Sequence, residues 1–167
     1  MIKSVIVFLS LAVIASAVEW PQDLQGFMST LKEQNSEFEQ RIEDTIQSER
    51  ELTTNDGRKE RDDLESWAKN VHKKLETMMG KIKSAIDNVK EHSVKEDLER
   101  VLSFLQMFDE RNQKVQKKAR SLSVYIARGT FTNSSDIRSG FEDLKKLHFI
   151  DFDIINMIVA RLNVELP

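Results

Sequence analysis

The stretch LESWAKNVHKKLETMMGKIKSAIDNV, Leu64 to Val89, decides the fold. Its apolar residues fall at Leu64, Trp67, Val71, Leu75, Met78, Ile82, Ile86 and Val89. Every step is of three or four residues, the signature of one apolar stripe on an α-helix. The stripe runs unbroken for about seven turns at 3.6 residues per turn. Charged residues fill the intervening positions, so the opposite face is solvated.

Working outward, the same spacing recurs on both sides. Upstream, Pro21 suits a first helical turn, and Leu24, Met28, Leu31, Phe38 and Ile42 form a second seam with Asn35 at a polar position. Thr53-Thr54-Asn55-Asp56-Gly57 reads as the break between the two helices, with Gly57 free to take a positive φ. Downstream, Ser93 followed by Glu96 reads as a capping box that restarts the chain as a third helix. Its seam is Leu98, Val101, Leu102, Leu105, Phe108, Val115, Ala119, Leu122 and Ile126, with Asn112 as the polar member. Arg128-Gly129 ends it. Ser134 or Ser135 would cap a fourth helix through Ile137, Phe141, Leu144 and Leu147.

The last segment, from Phe149 to Leu166, is the most apolar of the mature chain. Asp151 or Asp153 would cap it. Ile154, Ile155, Met157, Ile158 and Leu162 leave a narrow polar strip, which predicts a central helix touching both Trp67 and the Phe104–Phe108 region. Asp151, Asp153, Arg161 and Glu165 argue against a membrane span. Nothing reads as a strand. The expected fold is all-α: an antiparallel bundle of about five amphipathic helices, with Trp67, Val71, Phe104, Phe108, Ile154 and Ile158 as core positions that would also line a cavity for a hydrophobic ligand.

The ends and composition narrow the setting. Lys3, an apolar run from Val5 to Ile14, and Ala15-Ser16-Ala17 form a signal-peptide pattern over residues 1–17, too short to span a bilayer. Residues 18–167 are then a single helical domain, secreted and extracellular. The chain has no cysteine, so disulfides cannot hold it together. Without Lys3, 24 basic side chains face 28 acidic ones, a formal net charge of −4. That excess of acid excludes nucleic acid as a partner.

No enzyme signature is present. The absence of cysteine rules out thiol chemistry, His72, His92 and His148 have no metal-ligand spacing, and there is no glycine-rich phosphate loop. The densest charge cluster is Glu51 to Lys69. Aligning Gly57 with the sixth position of a calcium loop places Leu52 first, Thr54 third, Asp56 fifth, Glu60 ninth and Asp63 twelfth. Leucine offers no oxygen, and Arg58, Lys59 and Arg61 add positive charge, so the pattern fails as a dedicated loop. Two readings remain for Asp56, Glu60 and Asp63: acids favoured at a helix start by its dipole, or a weak, water-rich contact for Mg2+ or Ca2+. Asn133-Ser134-Ser135 is a glycosylation sequon in a polar loop.

At Leu52-Thr53-Thr54 followed by Leu64-Glu65-Ser66-Trp67-Ala68, the chain resembles the SXP/RAL family of secreted nematode antigens, as a divergent member. The resemblance continues through Lys73 to Val89 and returns at Gly129 to Leu147, where Phe131-Thr132-Asn133 stands for the family's second turn. The chain departs from the family at Asn70-Val71-His72, where a glycine is usual, and at Leu147-His148-Phe149, where a Leu-Pro segment is usual. The resemblance implies a small, all-helical, non-enzymatic secreted protein recognised by host antibodies, with a cation-binding role that would fall on Asp56, Glu60 and Asp63. Its partner would be that cation or a host or parasite macromolecule. The seams support one alternative: an exchangeable lipid-binding bundle of the apolipophorin kind, loosened by Asn35 and Asn112.

Overall fold

The structure, a computed structural model, describes residues 20–48, 51–129, 133–147 and 150–165. The signal-peptide pattern lies outside the described residues. Among them are five helices and no strand: α1 (Trp20–Gln47), α2 (Thr54–Asn88), α3 (His92–Ala127), α4 (Ser134–Leu147) and α5 (Asp153–Glu165).

Helix boundaries follow from caps. α2 starts at Thr54, earlier than the sequence suggests. Thr53 Oγ1 accepts from the Asp56 backbone N–H at 3.2 Å, and Asp56 Oδ2 accepts from the Thr53 N–H at 2.9 Å, a reciprocal capping box. Gly57 is therefore not a turn residue. It lies buried in the first turn, its N–H bonded to Thr53 O at 3.1 Å, and it has no positive φ. The box expected at Ser93 does not form. The Lys95 N–H already bonds Glu91 O at 3.0 Å, so the helix has begun before Ser93, and the Glu96 carboxylate meets His92 Nε2 at 3.2 Å. Gly129 does end α3, at φ 68°, the left-handed conformation glycine tolerates. Asn133 caps α4 in place of the serines, its Oδ1 accepting from the Asp136 N–H at 2.9 Å. Ser134 Oγ instead accepts from the Leu52 N–H at 3.1 Å, tying two connecting segments together.

α2 and α3 form the most closely packed pair, a long antiparallel hairpin turned at Val89–Glu91. α1 lies along the hairpin, and α4 and α5 follow one another down the remaining side, both packed on α1 and α3. The Lys81–Asp23 pair at 2.9 Å and the Asn163 amide donating to Gln25 at 2.6 Å bring the start of α1, the end of α2 and the end of α5 to one end of the bundle. The result is an up-down-up-down bundle whose fourth position is shared by two short helices.

That division splits the core. One half joins Leu24, Met28 and Leu31 of α1 to Leu75 and Ile82, to Leu98, Leu105 and Phe108, and to Phe152, Ile155 and Leu162. The other joins Phe38 and Ile42 to Leu64, Val115, Leu122, Ile137, Phe141 and Leu144. Trp67 packs against both halves and stacks on Phe38 with ring centroids 4.2 Å apart. Each fully buried aliphatic or Phe side chain contributes roughly 1.5–3 kcal/mol of transfer free energy. Asn35 and Asn112 sit between the halves, both buried. Asn112 Nδ2 donates to Ala68 O at 2.8 Å and Asn35 Nδ2 to Glu39 at 3.0 Å. They are satisfied on one side only, which fits their reading as polar interruptions of a seam.

α5 corrects the expectation of a central helix. Ile155, Val159 and Leu162 are buried, but Ile154 and Met157 are 71% and 74% exposed. α1 and α3 cover only one of its faces. Ile154 is thus not a core residue and Ile158 is half-buried, whereas Val71 and Phe108 are buried as expected and Trp67 and Phe104 partly so.

Candidate functional site

The acidic turn between α1 and α2 is the first candidate. Asp56 turns its carboxylate back onto Thr53, where it accepts from both the backbone N–H and Oγ1, the latter at 2.8 Å. Glu60 and Asp63 share one face of α2 as their spacing requires, and both accept hydrogen bonds from Arg41 of α1, Glu60 at 2.8 Å from Nε. The pairing holds Arg41 more firmly protonated than usual, the Glu60 hydrogen bond being the largest cause. The positive charge between these carboxylates is therefore a guanidinium from the neighbouring helix. Among the described residues, no group of three or more His, Cys, Asp or Glu side chains is placed to hold a metal ion. Local spacing brought Glu60 and Asp63 together correctly, but it could not reveal Arg41, which arrives from another helix.

A second polar cluster bridges α2 and α3. His72 Nδ1 lies 2.7 Å from Asp109 Oδ1, His72 Nε2 lies 3.5 Å from Glu76, and Gln113 donates to Asp109 Oδ2 at 2.9 Å. The Asp109 hydrogen bond, followed by its charge and that of Glu76, raises the His72 pKa above its ordinary 6.5. The pair joins α2 to α3 and reads as an interhelical tie.

The tie gives a pH dependence of definite sign. A raised folded-state pKa adds stability in full below 6.5, which is lost as the pH rises through the folded value. Glu65 behaves oppositely: hydrogen bonds from Lys69 and then Arg120 lower its pKa below 4.5, so its contribution is present above 4.5 and lost as the pH falls through the folded value. Thermal melts should therefore show greatest stability between those two limits. The decline on the alkaline side should flatten in His72→Gln. Identical slopes above pH 6.5 in parent and variant would remove the His72 assignment. The effect is modest, because the imidazole is 38% exposed and solvent screens it.

The third candidate is a groove between α3 and α5 with a volume of about 510 Å3. α3 contributes Arg100, Phe104, Met107 and Arg111, which recur at spacings of four, three and four and so form one ridge. The facing wall is Ile154, Ile155 and Ile158 of α5, closed at one end by Ile150 and Asp151. Phe152, just before α5, packs its ring 5.5 Å from Phe104 and 5.8 Å from Phe108. At the far end, Arg161 Nε donates to Asp97 at 2.6 Å and its Nη2 bonds the other oxygen. Asp97 is buried, and Arg100 reaches it at 3.3 Å. α5 thus runs antiparallel to α3, clasped at its C-terminal end. Phe104, Ile154 and Ile158, expected from the sequence as core positions that would also line a hydrophobic cavity, line this groove, whereas Trp67, Val71 and Phe108 of the same set do not.

Asn133 is exposed, its side-chain oxygen engaged as the α4 cap. No helix among the described residues is long and apolar enough to cross a membrane. Compared with known proteins, the chain matches no family model, no curated protein and no solved structure.

Proposed function

We propose that the chain is a secreted, non-enzymatic helical binding protein whose ligand is an amphiphile held in the α3–α5 groove. One observation carries this reading: Ile154 of α5, 71% exposed, lines an apolar groove of about 510 Å3 together with Phe104, Met107 and Ile158. Exposed aliphatic surface is unfavourable at about 25 cal/mol per Å2, and a contiguous apolar patch commonly marks an interaction site. The volume lies within the range of about 300–1,000 Å3 typical of small-molecule sites. Secretion rests on the signal-peptide pattern, and the absence of catalysis rests on the lack of any nucleophile–base arrangement in the sequence. The resemblance to the SXP/RAL antigens agrees with both. The cation reading of that family has less support here, because Arg41 holds Glu60 and Asp63 while Asp56 caps α2.

A titration of the mature chain with the neutral dye Nile red tests the reading. Saturable fluorescence enhancement at one dye per chain is expected, weakened about tenfold or more by Ile154→Glu, a change worth about 1.4 kcal/mol of binding. Ile154 is exposed enough for this variant to fold. Absence of saturable binding, or binding indifferent to Ile154→Glu, would exclude the groove as the ligand site.

A further inference from the structure

We infer that Asn133 carries an N-linked glycan, held at the end of α4 away from the α3–α5 groove; the inference rests on the secretion reading above and not on the groove. Of the eight asparagines in the chain, only Asn133 is followed two positions on by a serine or threonine, in Asn133-Ser134-Ser135, with no proline between. The fold presents this triplet as the modification requires. Asn133 is exposed, and it caps α4 through one atom only, Oδ1 accepting from the Asp136 N–H at 2.9 Å. Its Nδ2, the atom to which a sugar is joined, makes no hydrogen bond to a described residue. Asn35 and Asn112, by contrast, are buried and spend Nδ2 on Glu39 and on Ala68 O.

The two serines separate this reading from a simple cap. Capping accounts for Asn133, and the Leu52 N–H, bonded at 3.1 Å, accounts for Ser134. Neither accounts for Ser135, which is exposed and whose hydroxyl bonds to no described residue. In a sequon that third-position hydroxyl is the group glycan transfer requires. In the transfer, Nδ2 attacks the anomeric carbon of a lipid-diphosphate-linked oligosaccharide. The new N–C bond replaces the C–O bond to the diphosphate, the lipid diphosphate leaves, and Nδ2 gives up one of its two protons. Oδ1 is untouched, so the α4 cap survives the modification. The sugar then stands at the start of α4, which Ser134 and Arg138 tie to Leu52 and to the Ser48 carbonyl. α4 has 14 residues, so about 21 Å of helix at 1.5 Å per residue lies between Asn133 and the near end of the groove at Ile150 and Asp151. The groove is left uncovered.

The test is expression of the full chain, residues 1–167, in insect cells, with peptide N-glycosidase treatment of both medium and lysate. The secreted chain should lose mass on treatment, and Asn133 should be recovered as aspartate, the product of that hydrolysis. Asn133→Gln would remove the cap together with the acceptor, so Ser135→Ala, which keeps the cap, is the diagnostic variant. Ser135→Ala should abolish the mass loss, and Ser135→Thr should retain it. The glycosylated parent and Ser135→Ala should bind Nile red with equal affinity. A secreted parent with no glycosidase-sensitive mass would overturn the glycan while secretion stands. A chain found only in the cytosol and unmodified would sink secretion and this inference together. Nile red binding weaker in the parent than in Ser135→Ala by about tenfold would overturn the placement of the glycan away from the groove. Failure of both chains to bind the dye would bring down the groove reading alone, because the mass loss decides the glycan.

Discussion

Ending the chain at Leu147 is expected to abolish cooperative folding. The missing segment carries Ile150, Phe152, Ile155, Val159 and Leu162, each at most 8% exposed. At roughly 1.5–3 kcal/mol apiece, these side chains together match or exceed the whole stability of a typical domain, about 5–15 kcal/mol. Their loss also uncovers Phe104 and Phe108, against which Phe152 packs edge-on. Circular dichroism of the truncated chain should show a broad, low-temperature loss of helix, and a hydrophobic dye should bind it strongly. A cooperative melt within a few degrees of the parent would show that the α4 half of the core stands alone. The contrast within α5 is the internal control. Met157→Gln on the outer face should change stability by less than about 0.5 kcal/mol, because Met157 is already 74% exposed.

Arg161→Met should cost about 3 kcal/mol, although Arg161 itself is half-exposed. The cost comes from its partner. Asp97 is 2% exposed, and a buried carboxylate that loses its main counter-ion is strongly destabilising, by about 3–5 kcal/mol. Arg100 remains within 3.3 Å and offsets part of this, which places the value at the lower end. Replacing both members, as Asp97→Leu with Arg161→Met, should recover most of the loss, to within about 1 kcal/mol of the parent, because no charge is then stranded in the core. Urea unfolding of the two single variants and the double variant closes the cycle. A single variant costing less than about 1 kcal/mol, or a double variant as unstable as the sum, would mean that the clasp does not hold α5 to α3.

Much of the architecture was legible before any coordinates. The seams from Leu24 to Ile42, Leu64 to Ile82 and Leu98 to Leu122 became the buried stripes of three long helices, with Ile86 and Val89 only partly buried at the end of the second, and the helix stop at Gly129 fell where its neighbours placed it. Periodicity and glycine stops are local properties, written within a few turns of chain. Even the polar interruptions at Asn35 and Asn112 kept their places on the seams. Local signals misled where two of them competed. Asn55-Asp56-Gly57 has turn composition, yet Thr53 and Asp56 close a capping box around it, and Leu52 is fixed at the box's edge by Ser134, 82 residues away.

The candidate surfaces were decided by tertiary structure. Glu60 and Asp63 share a face as their spacing demands, but what fills the space between them comes from α1 in the form of Arg41. α5 is apolar over a wide arc, and its sequence cannot say which part of the arc is covered. Three long helices already surround the core, so α1 and α3 take Ile155, Val159 and Leu162 and leave Ile154 and Met157 to solvent. The sequence by itself therefore determined that these segments are helices and which stripes they must bury. Which helix lies across each stripe, and hence which apolar side chains remain as a groove and which carboxylates meet an arginine, depends on contacts between residues far apart in the chain. No period of three or four residues encodes such contacts.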